Sequence, residues 1–217
     1  IANVLTTSEL LVRVNPLHAG SKSEIDRVIN DGADIVMLPF FQTRREVETF
    51  VKFVDNRVKT MLLLETPEAV KNLDEIIGVD GIDYIHIGLN DLHLGYGMKF
   101  MFELLADGTV EKLCEKISKK GVRYGFGGIA RLGKGTLPAE LIIAEHYRLG
   151  SSMVILSRSF CNVKEVDDMR SVYSVFREGV VEIREYEKRI SNESKAFFAR
   201  NQELVVQKVN DIKNSLG

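Results

Sequence analysis

Six short runs along the chain are continuously apolar instead of alternating: "ELLVRVN" (9–15), "DIVMLPF" (34–40), "TMLLLE" (60–65), "DYIHIG" (83–88), "VRYGFGG" (122–128) and "SMVILS" (152–157). Runs of this kind suit strands covered on both faces. Between them lie helix-like segments: "SKSEIDRVINDG", "TRREVETFVKFVDN", "TPEAVKNLDEIIGV", "GTVEKLCEKISKKG" and "LPAELIIAEHYRLG". Several have Ser or Thr near the start, Glu in the first turn and Gly at or just past the end, which are helix start and stop signals. The order is a train of βα units and predicts a parallel sheet with right-handed crossovers.

Two architectures use such a train, an open doubly wound sheet and a closed (β/α)₈ TIM barrel. A dinucleotide-binding sheet would want GxGxxG after its first strand, and "RVNPLHAGSK" is not that. The barrel is therefore preferred. Six units are two short of eight; because the chain meets a strand soon after Ile1, which is not a methionine, the expectation is that the first one or two βα units are missing from it. Residues 1–165 would form the barrel. Residues 166–217, charged, free of proline and of helical propensity, would form a C-terminal helical extension. There Val205, Val209, Ile212 and Leu216 recur at helical spacing, a stripe expected to pack on a neighbouring subunit of a homo-oligomer or to fold back on its own barrel.

Composition narrows the partners. The 217 residues carry 29 Lys and Arg against 31 Asp and Glu, a formal net charge of -2, with no basic block of the kind that follows nucleic acid. The longest apolar runs fall far short of the roughly 20 residues that span a bilayer, and no signal-peptide pattern opens the chain, so a cytoplasmic protein with no membrane or nucleic-acid partner is expected. Cys114 and Cys161 have no CxxC or Cys/His spacing and read as two reduced thiols.

In a parallel barrel the working side chains sit where strands end. Those ends offer Arg13, Pro39, Glu65, Asp91, the glycines 125, 127 and 128, and Ser157 with Arg158. Glu65 ends one strand and Asp91 follows the end of the next; adjacent strands lie about 4.8 Å apart, so the two carboxylates can converge on one ion. Such a pair suits a hard cation, Mg²⁺ or Mn²⁺. The bland alternative makes Glu65 a helix cap and Asp91 a turn former. Arg13, within "LLVRVN", would be costly to bury alone and is expected to meet a carboxylate, from a ligand or from Glu65 itself. Its guanidinium offers a fork to carboxylate or enolate oxygens.

The glycine-rich "GFGGIARLGKGT" places Gly128, Gly133 and Lys134 in G-x-x-x-x-G-K spacing, but Gly135 stands where a nucleotide site needs Ser or Thr, which argues against a nucleoside triphosphatase. Rim glycines instead let a small substrate approach the backbone. Gly88, Asn90, Gly127 and Gly128, with Arg13, are the candidate substrate contacts. Of the histidines, His86 is expected packed and hydrogen-bonded and His146 near a helix surface; His18 and His93 follow strand ends, where either could move a proton or simply be solvated in a loop.

The stretch "LLLETPEAVKNLDEIIGVDGIDYIHIGLNDLHLGYG" resembles the central motif of the HpcH/HpaI aldolase and citrate lyase beta-subunit family of the phosphoenolpyruvate/pyruvate barrel superfamily, with a likeness running from about Leu10 to about Ser159. In that family the corresponding Glu and Asp bind a divalent metal and an earlier Arg contacts the pyruvyl group. The resemblance implies these roles for Glu65, Asp91 and Arg13. The sequence departs from the family in lacking the early Asp/His pair that supports proton transfer, in a shorter link before "DNRVKT", and in "GLNDL" where "GPxDLS" is usual.

The resulting expectation is a class II-type, metal-dependent carbon–carbon lyase or aldolase acting on a 2-oxo acid through a pyruvate-type enolate, with Arg13 neutralising developing charge. Two alternatives stand beside it: an acyl-CoA lyase of malyl- or citramalyl-CoA type, using a groove with Arg131 or Lys134, and a non-catalytic barrel subunit. The base the chemistry needs is not evident in this chain.

Overall fold

The computed structural model describes residues 2, 5–162 and 168–216. All six expected strands are present: β1 (Leu11–Arg13), β2 (Ile35–Leu38), β3 (Lys59–Leu64), β4 (Tyr84–Ile87), β5 (Arg123–Ile129) and β6 (Met153–Leu156). They form one parallel sheet in the order β1-β2-β3-β4-β5-β6. A doubly wound sheet reverses its strand order at a switch point, and here no reversal occurs. The sheet curls as part of a barrel wall, with β1 and β6 as its two edges.

The crossovers are helical: α1 (Ser21–Asn30), α2 (Arg44–Val54), α3 (Pro67–Lys71), α4 (Leu73–Ile76), α5 (Leu89–Gly95), α6 (Glu103–Ala106), α7 (Thr109–Ser118) and α8 (Ala139–Arg148). Local chemistry sets several starts. Thr43 and Glu46 form a reciprocal capping box on α2, and Thr66 caps α3 with Pro67 in the first turn. The single helix expected over 66–79 is instead α3 and α4, with Asn72 flanking both. The loop expected after β4 is largely the short helix α5.

Strand alternation divides the core in two. Val36, Leu38, Leu62, Leu64, Ile85 and Ile87 face the helices and join the main cluster. Ile35, Met37, Met61, Leu63 and Tyr84 form a second cluster on the concave face. Both faces of the central strands are thus buried, the reason their sequences are apolar at most positions and do not alternate. The edges differ, since Leu11 is 38% and Ile155 47% exposed.

Two further helices follow, α9 (Met169–Ile190) and α10 (Lys195–Ser215). The expected boundary at 165/166 lies outside the described residues. α10 packs on α8 and α6 of its own chain. Val205 and Val209 are each 1% exposed, Asn201 donates to the Leu141 carbonyl and to Glu145, and Lys213 pairs with Glu103 at 2.6 Å. The Val205–Val209 stripe is therefore covered within one chain, not by a neighbour; Leu216, at 54% exposed, is not. An apolar stripe reveals that surface must be buried but not against what.

Among the described residues no helix is long and apolar enough to cross a membrane. Both cysteines are free and buried, and burial pushes the Cys114 thiol up to about 12.

Candidate functional site

The β3–β4 pairing sets Leu64 beside Ile87, and the Gly88 N–H donates to the Leu64 carbonyl. Glu65 and Gly88 therefore follow side by side at the strand ends. A Cβ on residue 88 would lie 2.9 Å from the Glu65 Cβ and 3.1 Å from Oε2, so glycine there lets the Glu65 side chain lie across the end of β4. One residue into α5 beyond Asn90, Asp91 brings its carboxyl within hydrogen-bonding reach of Glu65. The two acids do converge.

Glu65 is 2% exposed. Its carboxyl is raised to about 7, first by loss of solvent and further by Asp91; the Phe40 N–H and, less strongly, Arg13 oppose the rise. Phe40 is a residue that sequence reasoning missed. Its N–H donates to Glu65 Oε1 at 3.1 Å, and it does so from a left-handed backbone, φ 52°. That conformation is strained for a bulky residue and clusters at sites where geometry matters. The only sequence signal was its place after Pro39 at a strand end. The bland reading of Glu65 fails: Thr66, not Glu65, caps the following helix.

Arg13 departs from expectation. On the edge strand β1 it is exposed, and among the described residues it forms no ion pair within 4 Å. Its register with Met37 places it on the concave face, two strands from Glu65, so it acts on that carboxylate through space without touching it. A guanidinium needs a partner only when buried, and the edge position of β1 removes that cost. Asn90 is exposed in the first turn of α5. Gly127 lies within, and Gly128 ends, an irregularity in the β5–β6 register; Gly127 has φ 58° and its carbonyl accepts from His86 Nε2 at 3.0 Å. That carbonyl is already committed within the fold.

The histidines sort differently from expectation. His86 is buried and hydrogen-bonded as foreseen, and burial lowers it to about 4. His146 is also buried, stacked on Phe126 with centroids 3.8 Å apart and pushed down to about 3, not near the surface. His93 is buried in α5, its Nδ1 3.1 Å from the Leu89 carbonyl, not solvated. His18 accepts the Gly20 N–H at Nδ1 and meets Glu24 at Nε2, 3.2 Å, leaving its ring no free lone pair for proton abstraction. Arg131, a candidate for an acyl-CoA groove, pairs with Glu182 of α9 at 3.2 Å.

Residues 1–103 match the model of the HpcH/HpaI aldolase/citrate lyase family. The match stops well short of Ser159, where the likeness was expected to end. A hydroxypyruvate/pyruvate aldolase from Rhizorhabdus wittichii is 26% identical over 51% of this chain and 57% of that protein. The chain thus spans a little over half the length of this curated relative. Two solved structures share the fold: a HpcH/HpaI aldolase/citrate lyase family protein from Burkholderia cenocepacia (TM-score 0.57, 15% identity, 77% of this chain and 72% of that one). The other is a HpcH/HpaI aldolase from Desulfitobacterium hafniense (TM-score 0.54, 19% identity, 86% and 74%).

Proposed function

We propose that this chain, whose residues 1–103 match the model of the HpcH/HpaI aldolase/citrate lyase family, is a carbon–carbon lyase acting on a small 2-oxo acid through a pyruvate-type enolate, with Glu65 and Asp91 as the ligands of a divalent cation. The observation that carries the reading is the convergence of two acids from adjacent strand ends, one of them buried. Burial first, and the neighbouring Asp91 carboxyl second, raise Glu65 to about 7. A donor set of that charge, all oxygen, fits Mg²⁺ or Mn²⁺. Among the described residues no third His, Cys, Asp or Glu joins the pair, so ligand or solvent oxygens would complete the coordination. When bound, the cation polarises a 2-oxo carbonyl and favours its enolate.

The protein's own groups divide the remaining work. The Phe40 N–H holds Glu65 Oε1 in place, and Gly88 provides the room for that side chain. Arg13, exposed and unpaired, is free to take the substrate carboxylate with a bidentate fork. The exposed Phe40 ring supplies an apolar wall beside it. Hydroxypyruvate or pyruvate, the substrates in the name of the Rhizorhabdus relative, are the first 2-oxo acids to try.

Exchange of pyruvate methyl protons in D₂O with added Mn²⁺ or Mg²⁺ tests enolisation directly. Exchange that requires the metal and disappears in Glu65→Gln supports the reading. Exchange absent in the wild-type protein, with the metal demonstrably bound, would leave a non-catalytic metal-binding barrel.

A further inference from the structure

Between α8, β6 and α9 lies a cleft of about 680 Å³, a size usual for small-molecule sites. Its walls are largely apolar: Ile143 from α8, Val154 and Leu156 from β6, Val180 and Ile183 from α9. One wall residue is polar and incompletely satisfied. His146 is 7% exposed, lies flat against Phe126 and engages Ser151 Oγ through Nδ1 at 2.7 Å, while its Nε2, shielded from solvent, has no hydrogen-bond partner. Buried polar atoms are paired in the great majority of cases, because an unmade bond forfeits the solvation that burial removed. The surroundings of Ser151 say which kind of partner is missing. Its Oγ also lies 3.2 Å from the Met153 carbonyl and 3.4 Å from that of Tyr124, both acceptors. The one hydroxyl proton goes to a carbonyl, so Oγ accepts from His146 and Nδ1 carries the ring proton. Burial keeps the ring neutral by pushing it down to about 3. Nε2 is left with a lone pair and needs a donor.

We propose that this cleft binds an uncharged, largely apolar small molecule whose single N–H or O–H donates to His146 Nε2. The apolar body replaces water against the aliphatic walls, and the donor supplies the bond that the fold leaves unmade. Charge does not select the ligand. The two ionic groups of the lining, Arg184 and Glu187, pair with each other at 2.6 Å, and a charged guest would give up solvation with no opposite charge left over to meet it. A guest that only accepts hydrogen bonds would set its lone pair against that of Nε2. Arg13, Glu65, Asp91 and Phe40 take no part in the lining, so this inference stands or falls apart from the catalytic one.

Indole is a suitable probe, being a flat apolar body with one N–H donor, and benzofuran has the same shape with an ether oxygen in place of that N–H. The chain contains no tryptophan, so indole fluorescence can be followed without interference. Titration with the whole chain should show saturable binding of indole, and benzofuran should displace it only at about tenfold higher concentration. His146→Phe keeps a ring against Phe126 and removes the acceptor; it should bring indole down to the level of benzofuran and leave benzofuran unchanged. Val180 is 37% exposed, so Val180→Lys should fold as the wild type does by circular dichroism and weaken both probes alike by charging the wall. If His146→Phe does not fold, nitrogen NMR of the wild-type ring reads the same contact: Nε2 should carry no proton in the free protein, and its shift should move with indole and not with benzofuran. Absence of saturable binding, equal affinity for the two probes, binding that Val180→Lys leaves untouched, or an Nε2 that already carries the proton would overturn the proposal.

Discussion

The carboxyls of Glu65, just past the end of β3, and Asp91, in the first turn of α5, come within hydrogen-bonding reach of each other, and the buried one is raised to about 7. Because this lies above the ordinary value of 4.5, folding favours protonated Glu65. The stability that proton contributes is whole below about pH 4.5, falls as pH rises toward 7, and is gone above it. His86 and His146, lowered to about 4 and 3, pull the opposite way: their stability is present above the ordinary 6.5 and is lost on acidification. The readout is therefore a difference. In metal-free protein, Glu65→Gln should gain on the order of 2–3 kcal/mol over the wild type between pH 4.5 and 8, measured by urea unfolding. Parallel pH profiles for the two proteins would count against the shift.

Metal affinity should depend on both acids. Calorimetric titration of Mn²⁺ is expected to show a loss of about tenfold or more in Glu65→Gln and in Asp91→Asn. Unchanged affinity in both would mean that neither carboxylate is a ligand.

Arg13→Ala should separate substrate from metal. Arg13 is exposed and unpaired, so the substitution should change stability by no more than about 0.5 kcal/mol. Mn²⁺ affinity should stay close to wild type while affinity for pyruvate or oxalate drops. Equal losses for metal and organic acid would contradict this division.

Gly88→Ala adds a methyl 2.9 Å from the Glu65 Cβ, a distance that forces one of the two to move. Overpacking of this kind costs about 1–3 kcal/mol, and the displaced carboxyl should weaken Mn²⁺ binding as well. Denaturant unfolding and the same titration check both effects; a variant equal to wild type in each would show that the strand ends have slack.

Val205→Ala tests the packing of α10. With Val205 buried against its own chain, the cost should be about 1–3 kcal/mol and independent of protein concentration. A cost that vanishes on dilution would place the helix on a neighbour instead.

Strand existence and order were legible from the sequence because a doubly covered parallel strand is apolar at nearly every position, and "IVML" and "MLLL" show that without reference to anything distant. The proximity of Glu65 and Asp91 was legible too, since each stands at or just past a strand end and the strands are neighbours in the chain. What escaped depended on surroundings. His146 reads as a surface residue until Phe126 is found against its ring, and Arg13 reads as buried until β1 is seen to be an edge. Phe40 could not be singled out, because its contribution is a backbone N–H aimed by an unusual φ and owes nothing to its side chain. The α10 stripe fits a neighbouring subunit as well as its own barrel until α8 and α6 of the same chain are found against it. Periodicity records which side of an element avoids water, a local property of the chain; what lies on that side is set by packing between distant residues, and only the tertiary structure decides it.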